Sequence, residues 1–85
     1  MAKYTVVITK SVQKQLNKMP DQVASTLEDA MLALENNPRP FGYKKLKNRD
    51  AFRIREGDYR IIYEIKDKII TVIINSIGHR KDVYK

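Results

Sequence analysis

The stretch Phe52-Arg53-Ile54-Arg55-Glu56-Gly57-Asp58-Tyr59-Arg60-Ile61-Ile62-Tyr63 alternates apolar and basic residues on either side of a Gly-Asp pair. A two-residue loop with glycine first is the signature of a type II′ hairpin turn. Pairing outward from it sets Glu56 against Tyr59, Arg55 against Arg60, Ile54 against Ile61, Arg53 against Ile62 and Phe52 against Tyr63. Phe52, Ile54, Ile61 and Tyr63 then share one face, and Arg53, Arg55 and Arg60 share the other. A slip of one residue would bury an arginine, so the pattern specifies its own register. Two arginines directly opposed destabilise an isolated sheet. An anion bound between them relieves that repulsion, and the planar guanidinium fork suits phosphate.

The apolar face of the hairpin needs a cover, and residues 10–36 supply it. Thr9 or Ser11 caps a short helix with Val12, Leu16 and Met19 at i, i+4, i+7. Pro20-Asp21 breaks and recaps the chain. A second helix carries Val23, Leu27, Ala30, Met31 and Leu34 on one stripe and ends at Asn36-Asn37-Pro38. Short connections favour an antiparallel helical hairpin. Before it, Lys3–Ile8 reads as a strand covered on both faces. After it, Arg39–Gly42 is a linker, Tyr43–Leu46 a short edge strand or bulge and Asn48-Arg49-Asp50 a turn. Strands over Ala51–Glu56, Tyr59–Lys66 and Ile69–Ile77 follow, with Gly78 ending the last. The expectation is an α+β fold of order β-α-α-β-β-β, a single domain over 1–85. Its antiparallel sheet has the helices on one face and leaves a basic face open.

Charge is divided unevenly. Residues 1–38 hold 4 lysines and 4 acids, while residues 39–85 hold 13 of the 17 Lys and Arg against 6 of the 10 acids, so the net +7 lies in the second half. A basic face of this kind points to a polyanion, with nucleic acid the default partner and ribosome-associated or acidic-protein-binding domains fitting equally well. The basic loop Lys44, Lys45, Lys47 and Arg49 offers non-specific phosphate contacts. The end of the chain, Gly78-His79-Arg80-Lys81-Asp82-Val83-Tyr84-Lys85, can bring Arg80 and Tyr84 beside the arginines. His79 is the one side chain that titrates near neutrality unaided. Tyr4, Phe41, Tyr59 and Tyr63 read as core or core-edge aromatics.

Other chemistries are excluded or unsupported. The absence of cysteine removes disulfides and cysteine-based zinc sites. A lone histidine without an acidic cluster gives no metal site, and no cofactor motif appears. Ile69–Ile74, interrupted by Thr71, is too short to span a bilayer, and Met1–Ile8 lacks the apolar stretch of a secretory signal. A cytoplasmic protein with no membrane partner is expected. Glycine-rich phosphate loops, nucleophilic triads and paired catalytic acids are missing. Cations with a tyrosine or histidine can still support ribonucleolytic transesterification, because RNA supplies its own nucleophile.

Over nearly its whole length the chain resembles the RelE branch of the RelE/ParE toxin superfamily. The resemblance is carried by Asn37-Pro38-Arg39-Pro40, Lys45-Leu46, the Phe52–Tyr63 stretch and Ile77-Gly78-His79-Arg80-Lys81-Asp82-Val83-Tyr84. It implies a toxin that cleaves mRNA in the ribosomal A site and is neutralised by a cognate antitoxin, expected to be acidic or partly disordered. By the same resemblance, Arg53, Arg55 and Arg60 surround the scissile phosphate. Arg80 stabilises the transition state or protonates the leaving 5′-oxygen, and Tyr84 orients or activates the 2′-hydroxyl. Lys44, Lys45, Lys47, Arg49, His79 and Lys81 would contact RNA or the ribosome. One departure stands out: relatives carry lysine at the positions of Arg53 and Arg55, one of them a proposed general base. Arginine, with a pKa above about 12, is a poor base. A ParE-like inhibitor of DNA gyrase and a non-catalytic nucleic-acid- or ribosome-binding module are the alternatives.

Overall fold

The computed structural model describes residues 3–79. Strand β1 (Thr5–Ile8) leads into helices α1 (Lys10–Asn17) and α2 (Asp21–Leu32), and a 3-10 turn over Ala33–Glu35 extends the second. Strands β2 (Lys44–Lys45), β3 (Phe52–Glu56), β4 (Tyr59–Lys66) and β5 (Thr71–His79) follow. They form one five-stranded sheet in the order β1-β5-β4-β3-β2.

Local chemistry accounts for the helices. The Thr9 hydroxyl accepts the Val12 N–H at 3.4 Å, capping α1, and donates to the Ile74 carbonyl at 2.9 Å, tying the cap to the sheet. The helix buries Val12 and Leu16, the positions its spacing selected. Pro20 precedes α2, and Asp21 in its first turn faces the positive end of the helix dipole. Leu27 and Met31 are buried from α2, and Leu34 from the 3-10 turn. They meet Ile54, Ile61, Tyr63, Val72, Ile74 and Ile77 from the sheet in one apolar cluster. Ala24 joins them, where its small side chain lets the helix approach the strands.

The central hairpin has the register the sequence requires, from Glu56↔Tyr59 out to Phe52↔Tyr63. Gly57 takes φ +61°, and Asp58 is not among the residues with positive φ, as a type II′ turn demands. The wholly antiparallel sheet does not hold: β1 runs parallel to β5, Thr5↔Thr71 to Ile8↔Ile74. The two reversals from β3 to β5 bring β5 back to the direction of β3, and β1, on the far side of the helical crossover, runs the same way. Nor is β1 covered on both faces. It is an edge strand on a sheet with helices on one side, so Val6 and Ile8 are half-buried while Val7 is 43% exposed.

Two boundaries of β5 also differ from expectation. It starts at Thr71, because Ile69 ends a 3-10 turn and Ile70 takes a left-handed φ of 49°. It also runs through Gly78 to His79, with Gly78 opposite Arg60. A glycine there, lacking a side chain, leaves space beside the arginine within a continuing strand.

Past Ile74, β5 outruns its β1 neighbour, and α1 supplies the missing partner. Gln15 Nε2 donates to the Ile77 carbonyl at 3.0 Å, and Gln15 Oε1 accepts the Ile77 N–H at 3.4 Å. One side-chain amide thus satisfies both backbone groups that a sixth strand would otherwise take.

Candidate functional site

The face of the sheet away from the helices carries the basic residues. Arg55 stands opposite Arg60, with Gly78 next in line on β5. The pair next to a tight turn's hydrogen-bonded pair is the close, non-hydrogen-bonded type, which sets the two Cβ atoms about 5 Å apart. In the adjoining row Lys44, Arg53, Ile62 and Ser76 lie side by side across four strands. The structure therefore unites Arg53, Arg55 and Arg60 and adds Lys44 to them. Arg55 is exposed, and Arg53 and Arg60 are half-buried.

Sequence reading placed Lys44 in a basic loop. Its position is legible only once β2 is paired with β3, because the strand is two residues long and has no periodicity of its own. Lys45 lies opposite Phe52, on the other face, while Lys47 and Arg49 occupy the exposed connection to β3. His79 also leaves the arginine face. It pairs with Tyr59 and packs edge-on against that ring at 5.0 Å and 88°. Arg80, Lys81 and Tyr84 lie outside the described residues.

A bulge between Ile62 and Tyr63 inserts Asn75 into β5. Bulges re-aim side chains, and Asn75 Nδ2 donates to Glu64 Oε2 at 2.7 Å. Lys66 Nζ lies 3.0 Å from the other Glu64 oxygen. The Asn75 hydrogen bond, then that of Lys66, holds the Glu64 carboxyl below its ordinary pKa against a small opposing effect of burial. By strand alternation Glu64 is the single carboxylate on the open face of the described strands. Sequence reading missed this pair, since nothing in the sequence announces a bulge in an apolar strand.

The site's flank is braced from behind. Tyr63, fully buried, donates its hydroxyl to the Pro38 carbonyl at 2.7 Å, and burial pushes its pKa up to about 12. The Tyr63 ring continues through Phe52, at 6.1 Å, to Tyr43, a further 5.8 Å on. Tyr4 donates to Asp67 at 2.6 Å, and Arg39 pairs with the same carboxylate at 2.9 Å. The Tyr4 hydrogen bond, followed by that of Arg39, lowers the Asp67 pKa, and the same bond raises that of Tyr4. Tyr4, Tyr59 and Tyr63 are thus the expected core and core-edge aromatics, but Phe41 is not. At 108% exposure it stands clear of the protein, because the Pro40–Gly42 turn projects it outward.

Among the described residues no group of three or more His, Asp or Glu side chains could hold a metal ion, and no helix is long and apolar enough to cross a membrane. The arrangement is a cation-lined sheet face with arginines contributed by two adjacent strands.

The model of the ParE toxin family, toxins of the parDE type II toxin–antitoxin system, matches residues 6–84. Toxin RelG of Mycobacterium tuberculosis is 36% identical, with 96% of this chain and 97% of that protein aligned. The toxin–antitoxin complex RelBE2 of the same organism superposes with a TM-score of 0.83 at 30% identity, covering 96% of this chain and 97% of the solved one. The archaeal RelE–RelB complex of Pyrococcus horikoshii gives 0.82 at 32% identity over 92% and 96%. Two helices on a mixed five-stranded sheet, a doubled arginine row on the open face and these likenesses agree: the chain belongs to the RelE/ParE superfamily, as a toxin of the RelE type.

Proposed function

We propose that this toxin is a ribosome-dependent endoribonuclease that cleaves mRNA in the A site and is held inactive by a cognate antitoxin. The observation that carries this is the opposition of Arg55 and Arg60, with Arg53 and Lys44 in the next row, on the sheet face that no helix covers. In the step proposed, the 2′-oxygen of the substrate attacks the adjacent phosphorus as its proton is withdrawn. The P–O5′ bond breaks, the 5′-oxygen takes a proton, and a 2′,3′-cyclic phosphate remains. Charge accumulates on the non-bridging oxygens of the pentacovalent phosphate, where the guanidiniums stabilise it most. Arginine at the usual lysine positions keeps this electrostatic contribution but not a base. With His79 packed against Tyr59, the proton of the attacking 2′-hydroxyl passes to Tyr84 or to the ribosome, and Arg80 serves the leaving oxygen.

The antitoxin follows from charge and from relatives solved in complex with antitoxins. A partner for a +7 chain is expected to be acidic and to order itself on binding. Growth arrest by the toxin, relieved by the product of the adjacent small gene, tests that pairing. Arrest unaffected by that product would remove it.

The ParE description of the family model favours one rival, poisoning of DNA gyrase. Primer extension on a translated message, with and without ribosomes, separates the two. Codon-positioned cuts only when ribosomes are present are expected. Intact transcripts with trapped double-strand DNA breaks would assign the toxin to gyrase, and neither kind of damage would leave a binding module without catalysis.

A further inference from the structure

β2 covers β3 only at Phe52 and Arg53. Gly42, at φ +90°, and the Tyr43 N–H donating to the Pro40 carbonyl at 3.0 Å then carry the chain away before it reaches Ile54. Between α2 and the rest of β3 this leaves a groove of about 460 Å³, whose apolar lining includes Ala30, Ala33, Leu34, Ile54 and Phe41, with Arg55 at its rim. Phe41 is wholly exposed, yet its loop is pinned. Pro38 is bonded by Tyr63, Arg39 by Asp67, and Asn37 Oδ1 accepts the Arg39 N–H at 3.1 Å. A solvent-facing phenylalanine on a fixed loop is an anchor whose ordering cost is already met.

We propose that this groove seats an extended segment of the antitoxin, carrying an apolar side chain over the alanines and against Phe41, with carboxylates alongside. The proposal rests on the antitoxin reading above. Alanines let a backbone approach closely, and residues 39–49 contain Arg39, Lys44, Lys45, Lys47 and Arg49 without one acid, which calls for an acidic partner. RNA fits less well: Ala30, Ala33, Leu34 and Ile54 offer a base no hydrogen bonds, and the partner's carboxylates would lie toward the Lys44–Arg49 loop, away from Glu56. A segment lying here flanks the strand that bears Arg53 and Arg55, so it obstructs the arginine face from its edge.

The test titrates the toxin calorimetrically with the antitoxin encoded beside it, comparing wild type with Phe41→Ala and Ala33→Glu. Both positions are exposed, so folding is expected to persist and is checked by thermal melting. Loss of a buried aromatic anchor, or a charge set into the groove, should each weaken binding roughly 30-fold or more. Cleavage of ribosome-bound message should not change, and co-expressed antitoxin should rescue growth less well. Wild-type affinity in both variants would overturn the groove while leaving the antitoxin reading intact. No binding by the wild type would remove that reading and the groove with it. Weakened ribosome binding by Phe41→Ala, with antitoxin affinity preserved, would place a base on Phe41 and overturn the proposal.

Discussion

Arg55 and Arg60 oppose each other across the β3–β4 hairpin, a like-charge pair that works against the sheet that holds it. Arg55→Thr relieves that repulsion and should leave stability within about 1 kcal/mol of wild type in urea denaturation. The same variant should slow cleavage. Arg60→Ala should lower the single-turnover rate at saturating ribosome by roughly 30- to 1,000-fold, about 2–4 kcal/mol of transition-state stabilisation. Lys47→Ala, in the loop beyond β2, should weaken ribosome binding and its salt dependence while cleavage once bound stays near normal. Arg60→Ala cutting at the wild-type rate would dismantle the site.

Tyr63→Phe leaves the buried Pro38 carbonyl without its donor. A loss of about 1–3 kcal/mol is expected. The pH dependence has a definite sign. Unfolded tyrosine ionises near pH 10, whereas the folded protein keeps this hydroxyl protonated to about 12. Its contribution is whole below about pH 10 and is lost as pH rises towards 12. Urea midpoints of wild type and variant should converge over that interval, and parallel curves would contradict the assignment.

Gly57→Ala isolates the turn. Nothing lies within 4 Å of the added Cβ, so only the backbone at φ +61° resists the change. The expected cost is about 1–2 kcal/mol. Two-dimensional NMR should show the β3–β4 cross-strand contacts in the same register, and a shifted register would mean that the turn dictates the pairing after all.

Asn75→Ala removes the first of the two hydrogen bonds that hold the Glu64 pKa down. Its titration, followed by carboxyl carbon shifts, should move up towards the ordinary carboxylate value. An unchanged midpoint would leave Lys66 as the only partner that counts.

Much of this architecture was legible because it is local. Gly57-Asp58 and period-two alternation determine the hairpin and bring three arginines together. Helical spacing picks out Val12, Leu16, Leu27 and Met31 as core residues. What escaped depends on distant or atypical geometry. The parallel pairing of β1 joins segments with no shared local signal. The start of β5 is displaced because a β-branched residue, Ile70, adopts a left-handed conformation that propensity disfavours. Phe41 read as core because aromatic character alone does not reveal a loop that points outward. Lys44 joined the arginines only through the register of a two-residue strand.

The parallel pairing of β1 with β5 also sets an order of events during synthesis. β1 is made first, yet its only neighbour in the sheet is the last described strand. Val6 and Ile8 must wait through the making of both helices and three intervening strands before their ladder can form. The hairpin bearing the arginines needs no such delay. That hairpin closes over a two-residue loop, whereas β1 and β5 must meet across the whole span from Thr5 to Thr71, which makes their ladder the slower and entropically costlier pairing of the fold.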